Sequence, residues 1–115
     1  MKPEASVFRI LVDAPCSNTG VMRRRTDLRW RVSQEEIRAL HETQFSLLSR
    51  GALLLRPGAS LVYSTCSIEP DENQNVVNRF MKRNSDDFTL EEQRQLSPEN
   101  DGTDGAFVAK ITRKQ

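Results

Sequence analysis

Two residues of one reactive type stand at matching places in this chain. Its only two cysteines, Cys16 and Cys66, each follow a run of apolar strand formers. Phe8-Arg9-Ile10-Leu11-Val12 leads into Asp13-Ala14-Pro15-Cys16-Ser17-Asn18-Thr19-Gly20, and Leu61-Val62-Tyr63 leads into Ser64-Thr65-Cys66-Ser67. Strand ends in α/β sheets are where ligands and reacting groups gather. A cysteine attacks only as thiolate, which positive surroundings or a helix N-terminus favour. If the two strands lie side by side, Asp13, Cys16 and Cys66 share one cleft. A thiolate beside a carboxyl group is equipment for covalent attack on an electron-poor ring. Pyrimidine C6 is such a centre. A thiol added there makes C5 nucleophilic towards an electrophilic methyl group, a carboxylic acid at ring N3 assists, and a second thiol serves the later elimination. Each residue also has a plainer reading. Strand-end cysteines occur as buried, inert small hydrophobes, and an aspartate before a proline-containing turn serves the turn itself.

Length and composition bound the rest. With 115 residues and 37% hydrophobic content, the chain has material for one modest domain. The net charge of +1 names no partner. Locally the balance is uneven. Arg23, Arg24, Arg25, Arg29 and Arg31 face one acid, Asp27, whereas the stretch from Asp86 to Asp104 is acidic. The arginines read either as a solvated loop or as phosphate contacts through bidentate guanidinium geometry. Trp30 among them reads as a loop anchor ahead of a base-stacking platform. No stretch is apolar enough to span a membrane, and the first residues lack a signal-peptide pattern. A cytoplasmic, reducing compartment is the expectation, with both thiols free. A single histidine, His41, argues against a zinc site and for a hydrogen-bonded core residue.

The elements that position these residues follow from periodicity. Val7 to Val12 reads as a buried parallel strand. Residues 13–32 read as a polar, basic loop. Ser33 and Glu36 make a capping box. Ile37, Leu40, His41, Gln44, Leu47, Leu48, Ala52 and Leu55 then recur at helical spacing, predicting a helix over about 34–55. Gly51 is its weak point, and Pro57-Gly58 is expected to stop it. Ser60 to Ser64 reads as the second strand. A turn at Glu69-Pro70-Asp71 leads into a second helix with Asp71 as N-cap and an apolar face of Val76, Val77, Phe80 and Met81. Phe88 to Glu91 reads as a short edge strand, Leu96 to Thr103 as loop, with a turn signal at Asp104-Gly105, and Phe107 to Thr112 as the last strand. Strands alternating with helices make an α/β layer. A first strand this apolar wants neighbours on both sides, so the layer reads as one half of a doubly wound domain.

Taken together, these segments resemble the C-terminal part of the catalytic domain in the Sun (Fmu) family of RNA cytosine-C5 methyltransferases. The resemblance rests on Leu11 to Val21, Arg23-Arg24, Asp27-Leu28-Arg29-Trp30, Leu61 to Ser67, Glu69 to Asn73, and Asp104 to Phe107. Thr26 and Asn18 depart from it, where proline and glycine are common. It implies an α/β fold: a partial Rossmann-like methyltransferase domain over residues 1–115. This would hold the fourth to seventh strands of the sheet, the last one antiparallel. It implies Cys66 as the nucleophile on cytosine C6 and Cys16 as the thiol that promotes release of methylated RNA. The resemblance, not the spacing, chooses between the two. It implies Asp13 and Pro15 beside the methyl donor, S-adenosylmethionine, and Arg23, Arg24 and Arg29 as contacts to ribosomal or transfer RNA. The glycine-rich cofactor turn of the family's first half is absent from this sequence. The expectation is therefore a truncated chain with weak or no cofactor binding, inactive alone, and able to self-associate through the open edge of Val7–Val12. Two rivals stand beside it: a non-catalytic RNA-binding or interaction module, and a thiol redox protein, which lacks the C-x-x-C spacing.

Overall fold

Apolar, β-branched segments separated by a helix are the makings of a parallel pair, because a crossover must return the chain to the same end of the sheet. The computed structural model, which describes residues 7–16, 34–67, 69–96 and 105–115, shows this pair. Strand β1 (Val7–Asp13) lies parallel to β2 (Leu55–Thr65), and helix α1 (Gln34–Leu53) stands between them in the chain. A 3-10 turn (Pro70–Glu72) and helix α2 (Gln74–Asn84) follow, then β3 (Phe88–Leu96) and β4 (Ala106–Arg113). The sheet order is β1-β2-β4-β3, with β4 antiparallel to both neighbours. The expectation of an antiparallel last strand is met.

Side-chain alternation sets the layers. Ala59, Leu61, Tyr63 and Thr65 of β2, and Phe107, Ala109 and Ile111 of β4, are buried. They pack with Leu48 and Ala52 of α1 and with Val76, Val77 and Phe80 of α2. Two edge-to-face aromatic pairs, Tyr63–Phe107 at 6.3 Å and Phe80–Phe88 at 5.2 Å, tie the core together. Gly51 is a site of close approach: a Cβ there would lie 3.1 Å from Leu61 Cδ1 and 3.2 Å from Val12 Cγ2. The missing side chain lets α1 settle onto β1 and β2. No described helix is long and apolar enough to cross a membrane.

Several expectations need correction. Pro57-Gly58 does not end the helix. Helix α1 ends at Leu53, the Leu54 N–H closes a turn onto Gly51 O, and β2 begins at once with the fully buried Leu55. Pro57-Gly58 sits inside β2 as a bulge, Gly58 with φ +85°, so that Val7 pairs with Leu55 but Arg9 with Ser60. Asp71 does not cap α2. It lies in the 3-10 turn, its carboxylate accepts from Asn75 Nδ2, and Asn73 occupies the cap position without a side-chain cap bond. Strand β3 runs nine residues, to Leu96, with an irregularity between Leu90 and Glu92. Its polar composition suits an edge and hides it from periodicity. Strand β1 is not buried. It forms the opposite edge of the sheet, with Phe8 65% and Leu11 68% exposed. Ser33, Asp104 and the loop over residues 17–33 lie outside the described residues.

Candidate active site

Parallel pairing of β1 and β2 aligns Asp13 with Ser64, at the C-terminal ends of both strands. Ser64 Oγ donates to Asp13 Oδ1 at 3.2 Å. The Ala14 N–H donates to Ser64 O at 2.9 Å and carries the ladder one residue past the strand. Beyond that point the Cys66 N–H donates to Cys16 Sγ at 3.3 Å. Neither cysteine is in a disulfide; Cys66 is exposed and Cys16 half-buried. Asp13, Cys16 and Cys66 thus meet at one place, with Pro15 exposed beside them. Arg23, Arg24, Arg29 and Trp30 lie outside the described residues. No group of acidic, histidine and cysteine side chains suited to a metal occurs among the described residues.

Beneath the Cys66 loop lies a buried polar cluster. Thr65, Ser67, Glu72, Asn73 and Gln44 are all within 2% of full burial. Buried polar groups must find partners, and these find each other. Thr65 Oγ1 donates to Asn73 Oδ1 at 2.6 Å and accepts from the Ser67 N–H at 3.2 Å. Ser67 Oγ donates to Glu72 Oε2 at 2.6 Å and accepts from the Glu69 N–H at 2.9 Å. Ser67 O accepts from Asn73 Nδ2 at 2.8 Å, and the same amide reaches Gln95 Oε1 of β3 at 2.7 Å. Gln95 Nε2 in turn donates to Ser67 O, Leu96 O and Ala106 O. Asn73 is therefore spent on holding the Cys66 loop, which explains why it leaves the helix uncapped.

Helix α1 reaches the same cluster. Gln44 Nε2 donates to Pro15 O at 2.8 Å and to Glu72 Oε1 at 3.2 Å. His41 Nδ1 lies 2.6 Å from Asp71 O, the hydrogen-bonded role its place in the helical stripe predicts. Tyr63 OH donates to Glu72 O at 2.8 Å. Burial pushes the Tyr63 phenol well above its ordinary range, and the charges of Glu72 and then Cys16 push it further. Tyr63 is thus a fixed neutral donor. The residues that sequence reasoning missed are Gln44, Ser67, Glu72, Asn73 and Gln95. The signals for them were a glutamine in the middle of an apolar helical stripe and, for Ser67, Glu72 and Asn73, their place in the segments that carry the family resemblance.

The chain is similar to known proteins over nearly its whole length. A family model described as 16S rRNA methyltransferase RsmB/F matches residues 2–112. The ribosomal RNA small subunit methyltransferase B of Photorhabdus laumondii is 41% identical over 112 residues, covering 92% of this chain and 26% of the relative. The protein of the same name from Vibrio cholerae is 40% identical over 111 residues, with the same coverage. The chain thus spans about a quarter of the length of these curated relatives. Among solved structures, PH0851 superposes with a TM-score of 0.88 at 30% identity, over 95% of this chain and 27% of that one. NSun6 from Pyrococcus horikoshii, solved with SFG, gives 0.79 at 28% identity, over 91% of this chain and 29% of that one. Sequence match and shared partial Rossmann-like architecture agree, and the chain belongs to the RsmB/F (Sun) family of 16S rRNA methyltransferases.

Proposed function

We propose that this chain forms the catalytic wall of an S-adenosylmethionine-dependent rRNA cytosine-C5 methyltransferase. The observation that supports it most is the meeting of Asp13 and both thiols at the ends of two adjacent parallel strands, with the Cys66 N–H on Cys16 Sγ at 3.3 Å. Cys66 is the exposed thiol and so the one open to a substrate base. As thiolate it adds to cytosine C6, and the electron pair of the C5–C6 double bond moves to C5. Asp13 contacts the cytosine ring beside the methyl donor and helps to hold it over the thiol. Cys16 serves the elimination: its sulfur takes the proton that methylated C5 gives up, the S–C6 bond breaks, the ring double bond is restored and Cys66 leaves as thiolate. Arg23, Arg24 and Arg29 contact RNA phosphates.

The residues present fit one side of a cofactor site. Asp13 is exposed, its Oδ1 engaged by a single serine, and Pro15 offers an exposed apolar ring next to it. A carboxylate of this kind accepts hydrogen bonds from amine or hydroxyl groups. When bound, S-adenosylmethionine supplies the electrophilic methyl group.

The test is a chimera in which residues 2–112 replace the matching segment of the Vibrio cholerae relative. It is offered 16S rRNA containing 5-azacytidine, which traps a thiol adduct. We expect a covalent protein–RNA adduct that Cys66→Ala abolishes and Cys16→Ala retains. An adduct that survives Cys66→Ala and disappears with Cys16→Ala reverses the two roles. A chimera that binds S-adenosylmethionine and RNA yet forms no adduct removes the covalent mechanism.

A further inference from the structure

Two residues that no step of this mechanism uses link the two thiol loops through the interior. Gln44 Nε2 donates to the carbonyl of Pro15, the residue before Cys16. The same nitrogen donates to Glu72 Oε1, and Glu72 Oε2 accepts from the hydroxyl of Ser67, the residue after Cys66. The path Pro15–Gln44–Glu72–Ser67 therefore begins and ends one residue from a sulfur. Gln44, Glu72 and Ser67 are each fully buried. The two loops also touch at the exposed contact of the Cys66 N–H with Cys16 Sγ.

Gln44 is an expensive way to fill that space. Among the described residues its Oε1 is buried with no hydrogen-bond partner, and an orphaned buried acceptor is unfavourable. Turning the amide over would aim that oxygen at two other acceptors, Pro15 O and Glu72 Oε1, so its orientation is set by its two donations. An apolar side chain would remove that orphan but would also take the donor away from Pro15 O and from buried Glu72 Oε1. What glutamine adds is a geometric tie.

We propose that the Gln44–Glu72 bridge is a positioning device that sets the separation of the Cys16 and Cys66 sulfurs. The inference rests on the reading of both thiols as acting on one cytosine ring. Two groups that act on one ring must keep their spacing, and a 1 Å error costs on the order of a hundred-fold in rate. Gln44 and Glu72 are positioning residues: they reach the chemistry only through the loops they hold.

Sulfur separation can be read without RNA or cofactor, so the result stands apart from the success or failure of the methyltransferase reading. In glutathione buffers the two protein thiols and one oxidised glutathione give one protein disulfide and two reduced glutathiones. The equilibrium reports the effective concentration of one thiol at the other. Gln44→Met keeps the length of the side chain and removes both donations. We expect it to lower the effective concentration about tenfold or more. Ile111→Ala, in β4 four residues along from the Phe107–Thr65 pair and fully buried, destabilises the core away from the bridge. We expect it to leave the value within about twofold, as for independent sites. If Gln44→Met fails to fold, Ser67→Ala breaks the bridge at its other end and should give the same fall. An effective concentration unchanged by loss of the bridge overturns the proposal. So does an equal fall in Ile111→Ala, or a parent chain that forms no disulfide.

Discussion

The two strand ends that carry the cysteines are built in opposite ways. At the end of β2 most of the contacts are local, with Gln95 and Gln44 the distant partners. Thr65 bonds Asn73 eight residues on, Ser67 bonds Glu72 five residues on, and Tyr63 bonds Glu72 nine residues on. All of these groups are buried. At the end of β1 the contacts are borrowed. Pro15 is held by Gln44, Asp13 by Ser64 and Cys16 by Cys66, partners 29, 51 and 50 residues away. Local contacts close small loops and lose little chain entropy, whereas distant ones close large loops. The Cys66 loop is thus shaped by its own downstream segment. The Cys16 loop takes its shape only once α1 and β2 are in place. One thiol has a scaffold of its own, and the other is placed relative to it.

Glu72 is where the two schemes join, so its removal is expected to have the largest effect. Glu72→Ala leaves the Ser67 hydroxyl and the Gln44 amide without their buried acceptor and opens a cavity. A loss of about 3–5 kcal/mol in unfolding free energy follows, read as a lowered midpoint in urea. A loss below about 1 kcal/mol would mean that the two ends do not depend on a common carboxylate. Thr65→Val is narrower. It keeps the shape but removes the donor to Asn73 and the acceptor for the Ser67 N–H. We expect a cost of about 1–2 kcal/mol and faster alkylation of Cys66, with the alkylation rate of Cys16 unchanged.

Tyr63 tests the same end by pH. It is the chain's single tyrosine, so tyrosinate absorbance reports it alone. Its native pKa is raised above the ordinary 10.0 by burial, then by Glu72 and Cys16. The stability linked to it is therefore fully present below pH 10 and is lost as pH climbs from there towards the native value. The native chain should show no tyrosinate absorbance at its ordinary pKa and should develop it only as it unfolds in alkali. Tyr63→Phe should cost about 1 kcal/mol at neutral pH and flatten the alkaline limb. A normal titration in the folded chain would show the β2 end to be open to solvent.

How much of this was legible beforehand follows the same division. Apolar runs ending in Asp13 and Ser64 announced two strands and where their chemistry would sit. The helical stripe of α1 and the apolar face of α2 were visible as periodicity. What escaped were residues whose role exists only in three dimensions. Gln44 is a polar break in an apolar stripe until Pro15 and Glu72 arrive on either side of it. Glu72 and Asn73 resemble an ordinary helix start, and only the approach of Tyr63, Thr65 and Gln95 makes them a buried hub. Pro57-Gly58 carries a strong stop signal. Nothing local says that the strand has already begun at Leu55, and the full burial of that side chain settles it. From Glu91 to Arg94 both faces of β3 are exposed, so that stretch has no apolar alternation to read.

The smallest expected effect is the one that sharpens the comparison most. Ser64→Ala removes the hydroxyl that donates to Asp13 Oδ1, an exposed contact at 3.2 Å. Water replaces such a donor at little cost, so unfolding free energy should change by less than about 0.5 kcal/mol. The backbone bond from Ala14 N to Ser64 O is untouched, and the register of β1 against β2 should persist. Thr65 is the next residue in the chain and also carries a hydroxyl, yet its loss is expected to cost several times more, because it points inward. Equal effects at Ser64 and Thr65 would break the contrast between a borrowed end and a scaffolded one. Unequal effects in the expected direction would mean that Asp13 owes its place to the backbone of its strand. Its carboxyl group would then be available to whatever binds there.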